Sequence, residues 1–253
     1  MWILIIIACV AVVSAASYVA IQVTKSSKIN DATLCRQTGA INTTAILLDL
    51  TDPLNATQQA RLKTILADEL HNTQRDTMIT LGVVSEDESR WGARFAKCKP
   101  ATGEYANSLY ENPGLIAERY QEEFLNPVNE TLAAMLTGEK ENQSPIMEAM
   151  QSLIAETPEF TRVSGSKKLI VVSDMLQHSD TLSFYRRQGW DFFSENVGSH
   201  RLAGNLSAVD IEIYLIPRSG PKIPKRQFAE DFWVRYFDRQ GARPPTSRSL
   251  GDL

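Results

Sequence analysis

The sequence predicts an α/β protein: one doubly wound, mostly parallel sheet with a single antiparallel edge strand, preceded by one N-terminal transmembrane helix. Three observations predict it. Short apolar runs at Thr44–Asp49, Thr77–Val84, Lys168–Ser173 and Val209–Ile216 read as strands and alternate with stretches of helical apolar spacing. Arg90–Lys97 alternates through Trp91, Ala93 and Phe95 after an acidic turn at Glu86–Ser89, which suits an antiparallel third strand. Trp2–Thr24 carries no charged residue and consists mostly of Ile, Val, Ala and Leu, matching the run of about 20 apolar residues that a bilayer core requires.

The elements follow in order. Asn55–Gln74 places Leu62, Ile65, Leu66 and Leu70 on one helical face, with Asn55 or Thr57 as the N-cap. Leu115–Leu136 reads as a helix bent near Pro127. Ser144 is the expected N-cap of a helix running to Glu156, with Pro145 in the first-turn position that proline favours. Trp190–Leu202 is a further expected helix. In the strand Val209–Ile216, Asp210 and Glu212 alternate with apolar residues, so one face is expected to be partly exposed. The last helix, Lys225–Gln240, carries Phe228, Phe232, Trp233, Tyr236 and Phe237 in a wide stripe expected to pack on the sheet.

The 253 residues, 43% hydrophobic and 22% charged, suit one domain of roughly 200 residues plus an appendage. The expected organisation is an anchor at 1–24, a polar linker at 25–40, the α/β domain at 41–240 and a Pro/Ser/Arg-rich disordered tail at 241–253. A formal net charge of -4 and the lack of a basic run interleaved with aromatics give no nucleic-acid signature. A cleaved signal peptide ending at Val13-Ser14-Ala15 competes with the anchor. It lacks a basic n-region, and the apolar character continues to Val23. Ile6-Ile7-Ala8-Cys9 resembles a lipoprotein box, but the apolar stretch before Cys9 is too short for one.

Lys25, Lys28 and Arg36 after the span would hold that side in the cytoplasm. The cysteines argue the other way. Cys9 lies in the span, which leaves Cys35 and Cys98 as an even pair suited to an oxidising compartment. If the third strand runs antiparallel at an edge, its end at Cys98 returns to the amino-terminal side of the sheet, where Cys35 precedes the first strand, and the two can bridge. The expected protein is therefore a single-pass protein of a bacterial inner membrane, tethered through residues 2–24, with its domain in the periplasm.

Three distant segments carry the chemistry: Asp49-Leu50-Thr51-Asp52-Pro53, Ser144-Pro145-Ile146-Met147-Glu148-Ala149 and Ser173-Asp174-Met175. Two of them close strands, and ligands of open α/β sheets bind beyond the carboxyl ends of the strands. Together they resemble the von Willebrand factor A family, a Rossmann-like fold with a metal-ion-dependent adhesion site, over roughly residues 41–240. The family's Asp-x-Ser-x-Ser becomes Asp49-x-Thr51-x-Pro53, its helix-opening hydroxyl becomes Ser144, and its Asp before Gly becomes Asp174 before Met175. The resemblance implies Asp49, Thr51, Ser144 and Asp174 as ligands of Mg²⁺ or Mn²⁺ in a degenerate site, and an acidic residue of a protein partner completing the metal shell. A metal-free scaffold subunit of a membrane complex is the alternative.

Enzyme chemistry has little support. His71, His178 and His200 have no partner at zinc-ligand spacing, and neither a Gly-x-Ser-x-Gly elbow nor a phosphate loop is present. A metal-dependent hydrolase using the two carboxylates and His178 lacks a second metal cluster and a nucleophile. Five glycosylation sequons, starting at Asn42, Asn55, Asn129, Asn142 and Asn205, matter only in a eukaryotic secretory route.

Overall fold

The computed structural model describes Ser14, Ser17 and residues 29–251, apart from 105, 107–110, 138–139, 198–205, 219 and 222. The expected membrane span at 2–24 lies outside the described residues except for those two serines, and so do Cys9, His200 and Asn205. Among the described residues no helix is long and apolar enough to cross a membrane.

Six strands, β1 (Asn42–Asp49), β2 (Thr77–Val84), β3 (Phe95–Cys98), β4 (Lys167–Ser173), β5 (Val209–Leu215) and β6 (Thr246–Ser249), form one sheet in the order β3-β2-β1-β4-β5-β6. Only β3 pairs antiparallel, at the edge beside β2. The helices are α1 (Ala56–Asn72), α2 (Pro113–Tyr120), α3 (Asn126–Leu136), α4 (Ile146–Glu156), the short α5 (Trp190–Phe192) and α6 (Arg226–Arg239). Leu62 and Leu66 of α1 and Val128 of α3 share one core with Ile46, Leu48 and Ile170. Met150 and Leu153 of α4, with the aromatic stripe of α6, share the other with Ala45, Leu47 and Val171. Covered on both faces, β1 is buried at every position, which is why it reads as a continuous apolar run rather than an alternating one.

Several details are set by individual residues. Asn55 is the cap of α1, exchanging side-chain and backbone hydrogen bonds with Gln58 in a capping box. The helix expected to bend near Pro127 instead widens into a π-helical stretch at Gln121–Leu125, between α2 and α3. Pro127 has no N–H for the carbonyl of Glu123, and Lys97 Nζ donates to that oxygen at 3.0 Å. The third strand is shorter than expected. Glu88–Arg90 forms a 3₁₀ turn, and pairing with β2 starts only at Phe95.

The segment expected as a disordered tail, 241–253, contributes β6 instead. Thr246–Ser249 pair with β5, Arg248 meets Glu212 at 3.4 Å, and Leu250 is fully buried. Thr-Ser-Arg-Ser has no apolar alternation to mark it as a strand; Glu212 on β5 supplies the register. Two sequon asparagines serve the fold. Asn55 caps α1, and the buried Asn42 accepts from the backbone and hydroxyl of Ser166.

Cys35 and Cys98 form the expected disulfide, with Cα atoms 4.9 Å apart. The antiparallel return of β3 brings Cys98 beside Met78, next to the start of β2, at the amino-terminal end of the parallel strands. Cys98 N also donates to Thr33 O at 2.8 Å, so the segment before β1 lies against the end of β3.

Candidate functional site

Asp49 ends β1 and is almost fully buried. Its carboxylate gathers all three segments singled out in the sequence. One oxygen accepts from Thr51 Oγ1 at 2.7 Å and from Thr51 N at 3.3 Å. The other accepts from Ser144 Oγ at 3.0 Å and from Ser173 Oγ at 2.7 Å. A buried carboxylate costs free energy unless it is fully hydrogen-bonded, and these four donors meet that need.

Ser144 does not cap α4 as expected. The helix begins at Ile146, no side chain caps its first residue, and the Ser144 hydroxyl reaches Asp49 instead. The buried Gln177 takes over part of the capping, accepting from Met147 N at 2.9 Å and donating to Glu148. Ser144 is held in place by a two-way backbone bridge with His178, at 2.8 and 2.9 Å. His178 therefore contributes its main chain to the site. Its ring packs on Tyr185, with centroids 5.3 Å apart.

Asp174 follows β4 directly. One of its oxygens accepts from Leu176 N at 2.9 Å; the other meets Arg218 Nε at 3.3 Å. Burial, and then the nearby charge of Asp49, push its carboxyl up to about 7, against the opposing pull of Leu176 N and Arg218. Met175, where the family has Gly, adopts φ of 60°. That is the left-handed region glycine enters freely, so the family's preference has a backbone cause that Met175 meets at a cost of about 1–2 kcal/mol.

Sequence reasoning missed Ser173 and Arg218. Ser173 was legible as the hydroxyl beside Asp174 at the end of a strand. Arg218 lies three residues past β5, on the same end of the sheet, in the loop that leads to α6. Its guanidinium joins two loops, donating from Nη2 to Asp52 O at 3.1 Å as well as to Asp174. Lys140 pairs with Asp52 at 3.0 Å across the rim.

The donor set suits a hard divalent cation in kind: two carboxylates and three hydroxyls, all oxygen. The hydroxyls donate to Asp49 and keep lone pairs for a metal, although Ser173 Oγ already accepts from Met175 N at 2.8 Å. Pro53 contributes no side-chain oxygen, and Arg218 supplies part of the missing charge. Among the described residues no group of three or more His, Cys, Asp and Glu gathers in a metal-binding cluster.

The open, doubly wound sheet with one antiparallel edge, and the oxygen-lined cup at the carboxyl ends of its strands, are the arrangement that the resemblance to von Willebrand A domains implies. No family model and no curated protein matches the chain. Among solved structures it is similar to a von Willebrand factor type A protein from Catenulispora acidiphila, at 10% identity and a TM-score of 0.43, over 84% of this chain and 39% of that one. It is also similar to an aerotolerance-related membrane protein from Bacteroides fragilis, at 10% identity and a TM-score of 0.37, over 81% of this chain and 90% of that one. The chain thus spans well under half the length of the first.

Proposed function

We propose that the chain is a membrane-tethered protein-interaction module whose contact face is the cup around Asp49. The observation that carries this reading is the convergence of Thr51, Ser144 and Ser173 on one buried carboxylate beside a second. In this reading Asp49, Thr51, Ser144 and Asp174 hold Mg²⁺ or Mn²⁺, which when bound supplies a coordination position for a carboxylate of the partner. Asp49 orients the three hydroxyls, the His178 main chain fixes Ser144, and Asp174 contributes the second negative charge. In this reading the tether is the apolar stretch 2–24, and the disulfide supports an oxidising compartment, the periplasm at a bacterial inner membrane.

The experiment is a thermal melt of the full-length chain in nanodiscs with Mg²⁺, Mn²⁺ or chelator. Either cation is expected to raise the melting temperature of the wild type, and Asp49→Asn and Asp174→Asn are expected to abolish the rise. A second reading rests on Arg218, which pairs with Asp174 and ties the β1 and β5 loops together. In that reading the cup is a metal-free scaffold, and identical melts with cation and chelator would establish it over the first.

A further inference from the structure

Beside the cup, and separate from its hydroxyls, lies a cavity of about 490 Å³ between α6, the β5–β6 edge and the loop after β5. Its origin is legible in side-chain size. Ser247 and Ser249 of β6 pair with Ile213 and Leu215 of β5 and face the same side of the sheet. Both are too small to fill the space beneath α6, where Trp233 and Val234 line the cavity together with Ile213 and Leu215 of β5. The exposed Val234 and the partly buried Leu215 and Ile223 are the apolar surface left over.

The volume lies in the range of pockets that enclose small ligands, and the pattern of apolar walls with a few polar groups is theirs too. The polar groups decide the class of ligand. Arg218 and Arg226 line the cavity together with Asp174 and Glu230. Both oxygens of Asp174 are engaged, by Leu176 N and Arg218. Each guanidinium has five N–H donors. Arg218 places two of its nitrogens in the bonds already described, and Arg226 meets Glu230 through Nε at 2.6 Å. Glu230 keeps one oxygen without a hydrogen bond, but the unused N–H groups of the two guanidiniums outnumber it, so the complementary ligand is chiefly an acceptor, and a carboxylate matches the guanidinium fork.

We infer that this cavity binds a small apolar monocarboxylate, its body against Ile213, Leu215 and Trp233 and its carboxylate on Arg218 and Arg226. Two sources share that chemistry: a free aryl or aliphatic acid, and the C-terminal residue of an apolar peptide. The inference does not depend on metal in the cup, and the test is run in chelator to keep the two apart.

Full-length chain in nanodiscs is titrated calorimetrically with 4-phenylbutyrate, with 4-phenylbutyramide, and with N-acetyl-Leu-Phe as acid and as amide. The acids are expected to bind at least about tenfold more tightly than the amides, the worth of one charge-assisted hydrogen bond. Arg218→Gln is expected to bring acid and amide to similar affinity. Ile223→Trp, which fills the cavity and leaves the Arg218–Asp174 pair alone, is expected to remove binding of both. Tighter binding of the peptide acid assigns the site to a peptide terminus, and tighter binding of phenylbutyrate assigns it to a free acid. Acid and amide binding equally well to the wild type, binding unaffected by Ile223→Trp, or no binding at all would overturn the inference.

Discussion

At the scale of the residue, the site is a problem in placing two buried negative charges. Asp49 is stabilised by four hydrogen bonds, whereas Asp174 has one backbone donor and one arginine, and its carboxyl rises to about 7. The consequence for stability follows from the sign of that shift. The folded chain holds the Asp174 proton more tightly than the unfolded chain does. Its contribution is therefore fully present below about pH 3.8 and is lost as pH rises through about 7. Asp174→Asn carries no ionisable group, so it is expected to gain stability relative to the wild type between those limits. Urea midpoints of the two proteins at pH 5 and pH 7.5 check it; parallel profiles would mean that Arg218 compensates the charge in full. The four candidate positions, Asp49, Thr51, Ser144 and Asp174, were readable in the sequence because each sits at or just past a strand end or beside a helix start. Arg218 was not, because only folding brings a residue after β5 against loops that end β1 and β4.

At the scale of the element, what could be read was apolar periodicity, and what could not was everything held by partners far along the chain. β1 and β2 are runs of buried residues, β4 becomes one after two half-buried lysines and β5 alternates buried with half-buried positions, and all four were placed within a residue or two. β6 carries four exposed polar residues and is held by β5 and Glu212. Helix-on-sheet packing also explains the single glycine of β2. A Cβ on Gly82 would lie 2.8 Å from Leu153 Cδ1 and 2.9 Å from the backbone oxygen of Gly92, so α4 approaches the sheet only because this position has no side chain. Gly82→Ala is expected to destabilise the domain by about 1–3 kcal/mol, the usual cost of overpacking. Gly114→Ala, in exposed α2 with only a distant contact, is expected to be neutral or to stabilise by up to about 1 kcal/mol. Denaturant melts of the pair separate loss of space from loss of backbone freedom.

At the scale of the whole molecule, the two ends of the parallel sheet have different tasks. The cup crowns the carboxyl ends, while the disulfide fastens the segment before β1 to the opposite end, about 25 Å away along the eight residues of β1. Under the proposed function, a tether entering through that segment leaves the cup at the end of the sheet opposite the tether. The bridge closes a loop with a sequence separation of 63 residues, worth about 4 kcal/mol in the chain-entropy model. That is a large part of the ~5–15 kcal/mol that stabilises a typical domain. The double variant Cys35→Ser/Cys98→Ser is expected to lower the urea midpoint by an amount corresponding to about 2–4 kcal/mol and to match wild type measured in reductant. The same pair reports the compartment. Bonded to each other, Cys35 and Cys98 present no free thiol, so neither should react with a maleimide in denaturant unless a reductant was added first. Chain extracted from native membranes that labels at both positions without reductant would place the domain on the reducing side and remove the support for a periplasmic cup.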